Sequence, residues 1–349
     1  MKTIELTRKL LKIPSESGNE ELIGQFLLER LKKNFKVEIQ RIGNRFNILA
    51  TKGEPKLLLT THIDTVPKQL EIKEDNEYLY GRGACDTKAI IAGMIIAGEE
   101  AREIGLKDFG ILLDVSEETD FSGIKEAIKI VNPDIVIVGE PTYFNLVIGQ
   151  KGLLGIKIKC YGKNAPGSMP EKGKNAIDKL VKILSDIKNI ILPKDEKLGD
   201  TTLNIGKING GTAANVVPDY AEAVIEFRTT TNNNDIIKEI NSFVGSNELE
   251  ILYDYEPIIN NDLTFINDLS YNKIIASYFT EMYFWIKKSK TIVFGPGEYE
   301  YAHSDNEKIK KIDIEKGKEC YLEIIKKFTS KESYIKQNTE DNYNGNRES

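Results

Sequence analysis

The amino-acid sequence predicts an α/β fold: a mixed, largely parallel sheet covered by helices, with a smaller ferredoxin-like α+β unit inserted into it. Three observations carry this expectation. Through the first third of the chain, segments with apolar residues at helical spacing alternate with short β-rich runs. A middle stretch then reads β-α-β-β-α-β, the element order of a ferredoxin-like unit. Beyond it the chain resumes helix, strand, helix, so the first sheet is expected to be completed from both ends of the sequence. A length of 349 residues suits two domains at roughly 100–200 residues each.

Taken in order, residues 3–13 and 20–33 place Leu10, Leu11, Leu22, Phe26, Leu27 and Leu31 at helical spacing. Residues 36–41, 47–51 and 57–63 are short β-rich runs. A helix at 87–104 follows, then the apolar run 111–113, a helix near 123–131 and the apolar run 135–138. Strands alternating with helices in this way are covered on both faces. The texture changes at Gly149: a strand at 152–161, a turn-rich segment at 162–173, a helix at 174–191, strands near 201–208 and 219–229, a helix at 235–244 and a strand near 249–254. Residues 1–148 and 257–330 are therefore expected to form one discontinuous domain and 149–256 the inserted one. The last strand is placed at 292–294 and the last helix at 312–328. The segment 331–349 is polar and lacks apolar periodicity, so it is expected to be a disordered tail.

Composition narrows the function. A formal net charge of −6 and lysines scattered among acidic residues leave no basic stripe for nucleic acid, so small molecules are the expected partners. The longest apolar run, 89–98, is about half a membrane span, and charges interrupt the first residues, so no membrane association is expected. Cys85, Cys160 and Cys320 are odd in number and widely spaced, which fits a reducing, cytoplasmic setting better than a disulfide framework.

Chemistry concentrates at strand ends. The chain has two histidines, His62 and His303, each in a polar, turn-like setting directly after an apolar strand. Asp86 lies in a Gly-Arg-Gly-Ala-Cys-Asp-Thr-Lys string at 81–88, Glu117 and Glu118 follow the run that ends at Val115, and Glu140 follows 135–138. Ligands of open α/β sheets bind beyond the carboxyl ends of the strands, so these groups can meet in one crevice. So many converging carboxylates repel one another unless a cation is present, and imidazole plus carboxylate suits zinc, cobalt or manganese. Two ions about 3.5–4 Å apart need a bridging carboxylate and bring the pKa of a shared water towards 7. Taken singly, each acid also reads as a helix cap or a solvated surface group.

The strings at 61–67, 81–88, 116–119, 139–142, 210–218 and 302–307, in that order over residues 1–330, resemble the dinuclear metallohydrolases that include acetylornithine deacetylase, succinyl-diaminopimelate desuccinylase, aminoacylase and several dipeptidases and carboxypeptidases. The resemblance implies that Asp86 bridges two divalent ions, zinc first with cobalt or manganese as alternatives, His62 and Glu140 completing one ion and Glu118 and His303 the other. It implies that Glu117 is the general base and that Asp64 orients the His62 imidazole. It further implies that the insert is a lid through which the protein forms a homodimer, with Asn215 and Arg228 contacting the substrate. The activity so implied is hydrolysis of the amide bond of an N-acyl amino acid, with a di- or tripeptidase or carboxypeptidase as the alternative.

Two departures from the family pattern point to a third reading, a metal-binding homologue with impaired catalysis. Where relatives carry a lid histidine that stabilises the oxyanion, this chain has Pro166, which offers no donor. Where relatives often have Gly-Thr-Asp before the last strand, it has Phe279-Thr280-Glu281, which is expected to reshape the pocket.

Overall fold

The computed structural model describes residues 2–344, with side chains described through Thr329. The chain divides into two compact units, Met1–Ile148 with Asn260–Ile274 and Thr280–Ser349, and Gly149–Ile259 with Ile275–Phe279.

The first unit opens with α1 (Lys2–Leu11) and α2 (Glu21–Leu31), followed by β1 (Lys36–Ile42), β2 (Arg45–Lys52), β3 (Leu57–His62), β4 (Lys73–Glu74), β5 (Tyr78–Tyr80), α3 (Lys88–Glu103), β6 (Phe109–Asp114), α4 (Ser122–Ala127), β7 (Ile135–Val138) and β8 (Leu146–Gln150). The second unit holds β9 (Gly152–Tyr161), α5 (Ala176–Lys188), β10 (Lys194–Asp195), β11 (Gly199–Asp200), β12 (Thr202–Gly210), β13 (Tyr220–Thr229), α6 (Asn233–Val244), β14 (Glu248–Tyr255) and β15 (Ile258–Ile259). The rest of the chain forms β16 (Lys273–Ala276), α7 (Met282–Trp285), β17 (Lys290–Val293), β18 (Lys308–Lys310) and α8 (Lys311–Asn344).

The main sheet runs β1-β2-β6-β3-β7-β17-β8-β15, with β16 also paired to β8. Its centre is parallel: β3 pairs with β6 on one side and β7 on the other, and β7 pairs with β17. Antiparallel neighbours flank it, β1 and β2 on one side and β8 on the other, and β15 pairs with β8 in turn. This is the mixed, largely parallel sheet that the alternating pattern predicts. The strands β3 and β6 are buried along their whole length, which is why they read as unbroken apolar runs. Helix α3 is apolar nearly all round because it packs against α1 and α8 as well as the sheet. Because β3 has its successors in the sheet on opposite sides, the crevice beyond its carboxyl end is the switch point at which such sheets bind ligands.

The second unit is an antiparallel sheet in the order β12-β13-β9-β14 with α5 and α6 packed on it. That order is the ferredoxin-like one. Burial alternates along β13, so Ala221, Ala223, Ile225 and Phe227 face the helices. Asn175 and Asn232 start the helices by accepting the first free N–H groups, Asn175 from Ile177 and Asp178 and Asn232 from Asn234.

Three features differ from the sequence expectation. The helix before the last strand shrinks to the four residues of α7. A small sheet, β18-β5-β4, joins residues far apart in sequence and too short in each run to show a period. The tail expected to be disordered over 331–349 continues α8 as far as Asn344, since extending an existing helix costs far less than starting one; residues 345–349 lie outside the described residues. Cys85, Cys160 and Cys320 are free thiols, each buried. Among the described residues no helix is long and apolar enough to cross a membrane.

Candidate metal centre

His62 is the last residue of β3, and the other acids follow the ends of its neighbours: Glu117 and Glu118 after β6, Glu140 after β7. Gly139, just before Glu140, passes so close to α3 that a Cβ there would lie 2.4 Å from Met94 Cε and 2.6 Å from Ile90 Cγ2. Asp86 sits two residues before α3, and His303 on a turn with φ of 59°.

These side chains converge in two sets that share one carboxylate. His62 Nε2 lies 3.1 Å from Asp86 Oδ1 and 3.8 Å from Glu140 Oε1. His303 Nε2 lies 3.2 Å from Asp86 Oδ2 and 3.0 Å from Glu118 Oε1. Within each set, His62–Asp86–Glu140 and Asp86–Glu118–His303, the ligand atoms fall within 4.8 Å of one another. Each oxygen of Asp86 therefore faces a different histidine.

The donor chemistry fits a pair of divalent cations. A main-chain carbonyl only accepts, so the 2.9 Å contact between His62 Nδ1 and the Asp64 oxygen puts the ring proton on Nδ1. In the neutral ring, Nε2 then turns a lone pair towards carboxylate oxygens, an arrangement that a cation satisfies. Each set supplies three protein ligands, leaving coordination positions open, as catalytic zinc sites do. The protonation pattern without added charge says the same. Burial, reinforced by the negative charge of Asp86, pushes the Glu140 carboxyl well above the usual carboxylate range. Burial also raises Glu118 and, more strongly, Glu117, with the neighbouring acids adding to it. Hydrogen bonds to Asp86 and Glu118 push His303 up to about 11. Burial alone depresses His62, but Asp64, Asp86 and Glu140 more than offset it, and its pKa is raised. Asp86 stays ionised despite burial because both imidazoles face it. The pocket gathers protons where positive charge is wanted.

Asp64 meets the His62 ring through both its main chain and its side chain. The ring nitrogen of His62 bonds its main-chain oxygen, and the carboxylate lies 3.5 Å away. That carboxylate accepts from the backbone N–H of Glu117 and of Glu118, both at 3.1 Å, and from Ser17 Oγ at 2.6 Å. It thus holds the turn that carries two of the acids. The same turn starts at Ser116, whose φ is 66°, and Ser116 Oγ accepts from Arg45, which also pairs with the buried Glu20 at 2.9 Å. Asn47 accepts from Val115 N and donates to the Gly123 oxygen.

The substrate-binding candidates lie in the second unit. Asn215 is exposed, and its main-chain oxygen accepts from Gly167 N at 2.7 Å. Arg228, on β13, pairs with Glu226 at 2.7 Å. Pro166 forms a bridge with Val216. At the altered string, Phe279 stacks on Tyr255 with ring centroids 5.2 Å apart, the Thr280 hydroxyl accepts from Met282 N, and Glu281 is buried against Asp114. Sequence reasoning gave no role to Ser17, Arg45, Asn47, Arg82, Asp114 or Glu307. Arg82 and Glu307 lay inside the quoted strings, and the others carry no local signal.

Residues 148–251 match the model of a peptidase dimerisation domain. A protein of Aspergillus clavatus named probable carboxypeptidase is 33% identical, the alignment covering 93% of this chain and 88% of that protein. A peptidase M20 domain-containing protein of Schizosaccharomyces pombe is 30% identical over 92% of this chain and 84% of its own. Among solved structures, a tripeptidase from Staphylococcus aureus superposes with a TM-score of 0.79 at 25% identity, covering 93% of this chain and 97% of the other.

Proposed function

The chain belongs to the M20 family of metallopeptidases, and on that premise we propose that it is a metal-dependent exopeptidase acting on short peptides, as a carboxypeptidase or a di- or tripeptidase. It is a hydrolase of amide or peptide bonds, and its family members are typically dinuclear metal-binding peptidases. The observation that carries the reading is the pair of three-residue sets sharing Asp86 at the switch point of the sheet.

We assign His62, Asp86 and Glu140 to one ion and Asp86, Glu118 and His303 to the other, with zinc as the native metal. Bound there, the ions supply Lewis-acid polarisation of the scissile carbonyl and acidify water. Glu117 provides the proton transfer. Its carboxylate takes a proton from the attacking water and passes it to the nitrogen of the scissile amide, so that a free amine leaves and a carboxylate remains. Asp64 keeps Glu117 in place through the two backbone N–H groups it accepts.

Peptides rank ahead of N-acyl amino acids as substrates because the relatives and the tripeptidase carry peptidase names. Asn215 and Arg228 are assigned to substrate contact, a guanidinium fork being suited to a carboxylate. The domain at 148–251 is assigned to homodimer formation. The test is amine release from dipeptides, tripeptides, N-acetyl and N-succinyl amino acids, with added zinc or cobalt and again after chelation. Chelator-sensitive turnover of peptides is expected. Turnover confined to N-acyl amino acids would replace the peptidase reading by the deacylase one, and silence across the panel with two ions bound would favour the impaired homologue.

A further inference from the structure

The two sets are not held alike. His62 ends β3 and Glu140 follows β7, neighbouring parallel strands whose register the sheet fixes. The Thr87 hydroxyl donates to the main-chain oxygen of His62 at 2.7 Å, which ties Asp86 to that side independently. His303 is different: it stands on a turn, its side chain is 45% exposed, and Asp86, the acid it must face, lies 217 residues earlier (303 − 86).

What joins those two segments is a buried ion pair. Glu307 is 1% exposed and Arg82 3%. Glu307 Oε2 accepts from Arg82 Nη1 at 2.7 Å, while Oε1 accepts from the backbone N–H of Cys85 at 3.0 Å and of Asp86 at 3.1 Å. Arg82 also donates to the main-chain oxygens of Ser304, from Nη1, and of Lys68, from Nε, both at 3.3 Å. Gly81 N donates to the main-chain oxygen of Glu307 at 3.1 Å, and β18 then pairs with β5, Lys308 opposite Tyr80. One carboxylate thus grips the backbone of the shared ligand, and its partner grips the residue after His303.

Resting on the two-ion reading above, we propose that Arg82 and Glu307 are the positioning pair of the Asp86–Glu118–His303 set: they set the separation of Asp86 and His303 and so control the affinity for the ion held there. The His62–Asp86–Glu140 set has the sheet and the Thr87 hydroxyl to hold it and depends on the pair much less. Neither residue belongs to the two ligand sets.

The test uses the full chain, stripped by chelation and titrated with cobalt(II), following the visible absorption of the bound ion and the number of ions retained after dialysis. Glu307→Gln keeps an oxygen for the two N–H groups but turns an amide NH2 on Arg82 or loses the N–H contacts; Arg82→Lys keeps the charge and loses the fork. The expected result in both is a first equivalent bound as in the unaltered protein and a second weakened by about 10–100-fold, with a changed spectrum for that equivalent. A purely structural role would lower the melting temperature of the metal-free protein and leave the second equivalent as tight as in the unaltered protein. Should one variant fail to fold, the other decides. Equal affinities and unchanged spectra overturn the proposal, as does equal weakening of both equivalents. If the unaltered protein retains fewer than two ions, the two-ion reading falls first and the positioning role with it.

Discussion

Asp64→Asn tests how the candidate base is held. The carboxylate accepts three hydrogen bonds, from Glu117 N, Glu118 N and Ser17 Oγ. Asparagine is almost the same size but offers a single acceptor oxygen, so its amide nitrogen must face one of those backbone N–H groups. Ser17 can rotate its hydroxyl to accept instead; the backbone cannot. An unsatisfied buried donor costs about 1–3 kcal/mol, and the remaining contacts lose the strength that a charged acceptor adds. A destabilisation of about 2–3 kcal/mol follows, which lowers the melting temperature by roughly 4–12 °C at about 2–4 °C per kcal/mol. Because the freed N–H belongs to the turn carrying Glu117 and Glu118, kcat is expected to fall by about 10–100-fold. The assay is steady-state peptide hydrolysis with the metal content of each preparation measured, beside thermal melts of the metal-free proteins. Ser17→Ala, which removes one contact and leaves both N–H groups paired, is expected to do far less. If Asp64→Asn retains the original kcat and melting temperature at full metal content, the turn is held by Arg45 and Asn47 and the reasoning fails.

Glu117→Gln is expected to lower kcat by about 10²–10⁴ while both ions remain bound, since the side chain is assigned to proton transfer and not to ligation; loss of an ion, read by metal analysis, would contradict the assignment. Gly139→Ala forces a methyl group into Met94 and Ile90, so the metal-free protein is expected to lose about 1–3 kcal/mol in denaturant melts. An unchanged midpoint would mean that α3 shifts to make room. Asp114 and Glu281 form a buried carboxyl pair; burial, above all, pushes Asp114 up to about 6 and Glu281 well above its ordinary value. The unfolded Asp114 releases its proton near pH 3.9, so the stability linked to its protonation is full below about pH 4 and is lost as pH rises through about 6. Asp114→Asn removes that loss, and its melting temperature relative to the unaltered protein is expected to rise between pH 4 and pH 7; a flat difference would show that the pair does not titrate in this window.

Much of the fold was legible because period and punctuation are local. The apolar run at 135–138 is β7, the strand expected at 152–161 is β9, and the one near 219–229 is β13. Segments without enough length to show a period were not: the strands β4, β5 and β18 have two or three residues each and exist through pairing with one another. At the site, the acids and histidines stood out because polar residues at the ends of buried strands are conspicuous. Asp64 was visible as a residue two places from His62, but its hold on Glu117 and Glu118 spans 53 and 54 positions, and no spacing rule reaches that far.

By itself, then, the sequence determined the kinds of element, their order and the ligand types that a cation would need, because each depends on side-chain chemistry within one turn or one strand. Which strands lie beside β3, that the two oxygens of Asp86 face different imidazoles, and that Glu307 reaches back to the backbone of Cys85 and Asp86 follow from packing alone. Those contacts join residues tens to hundreds of positions apart, and what brings them within hydrogen-bonding distance is the order and register of the sheet, a property of the packed chain and not of any segment of it.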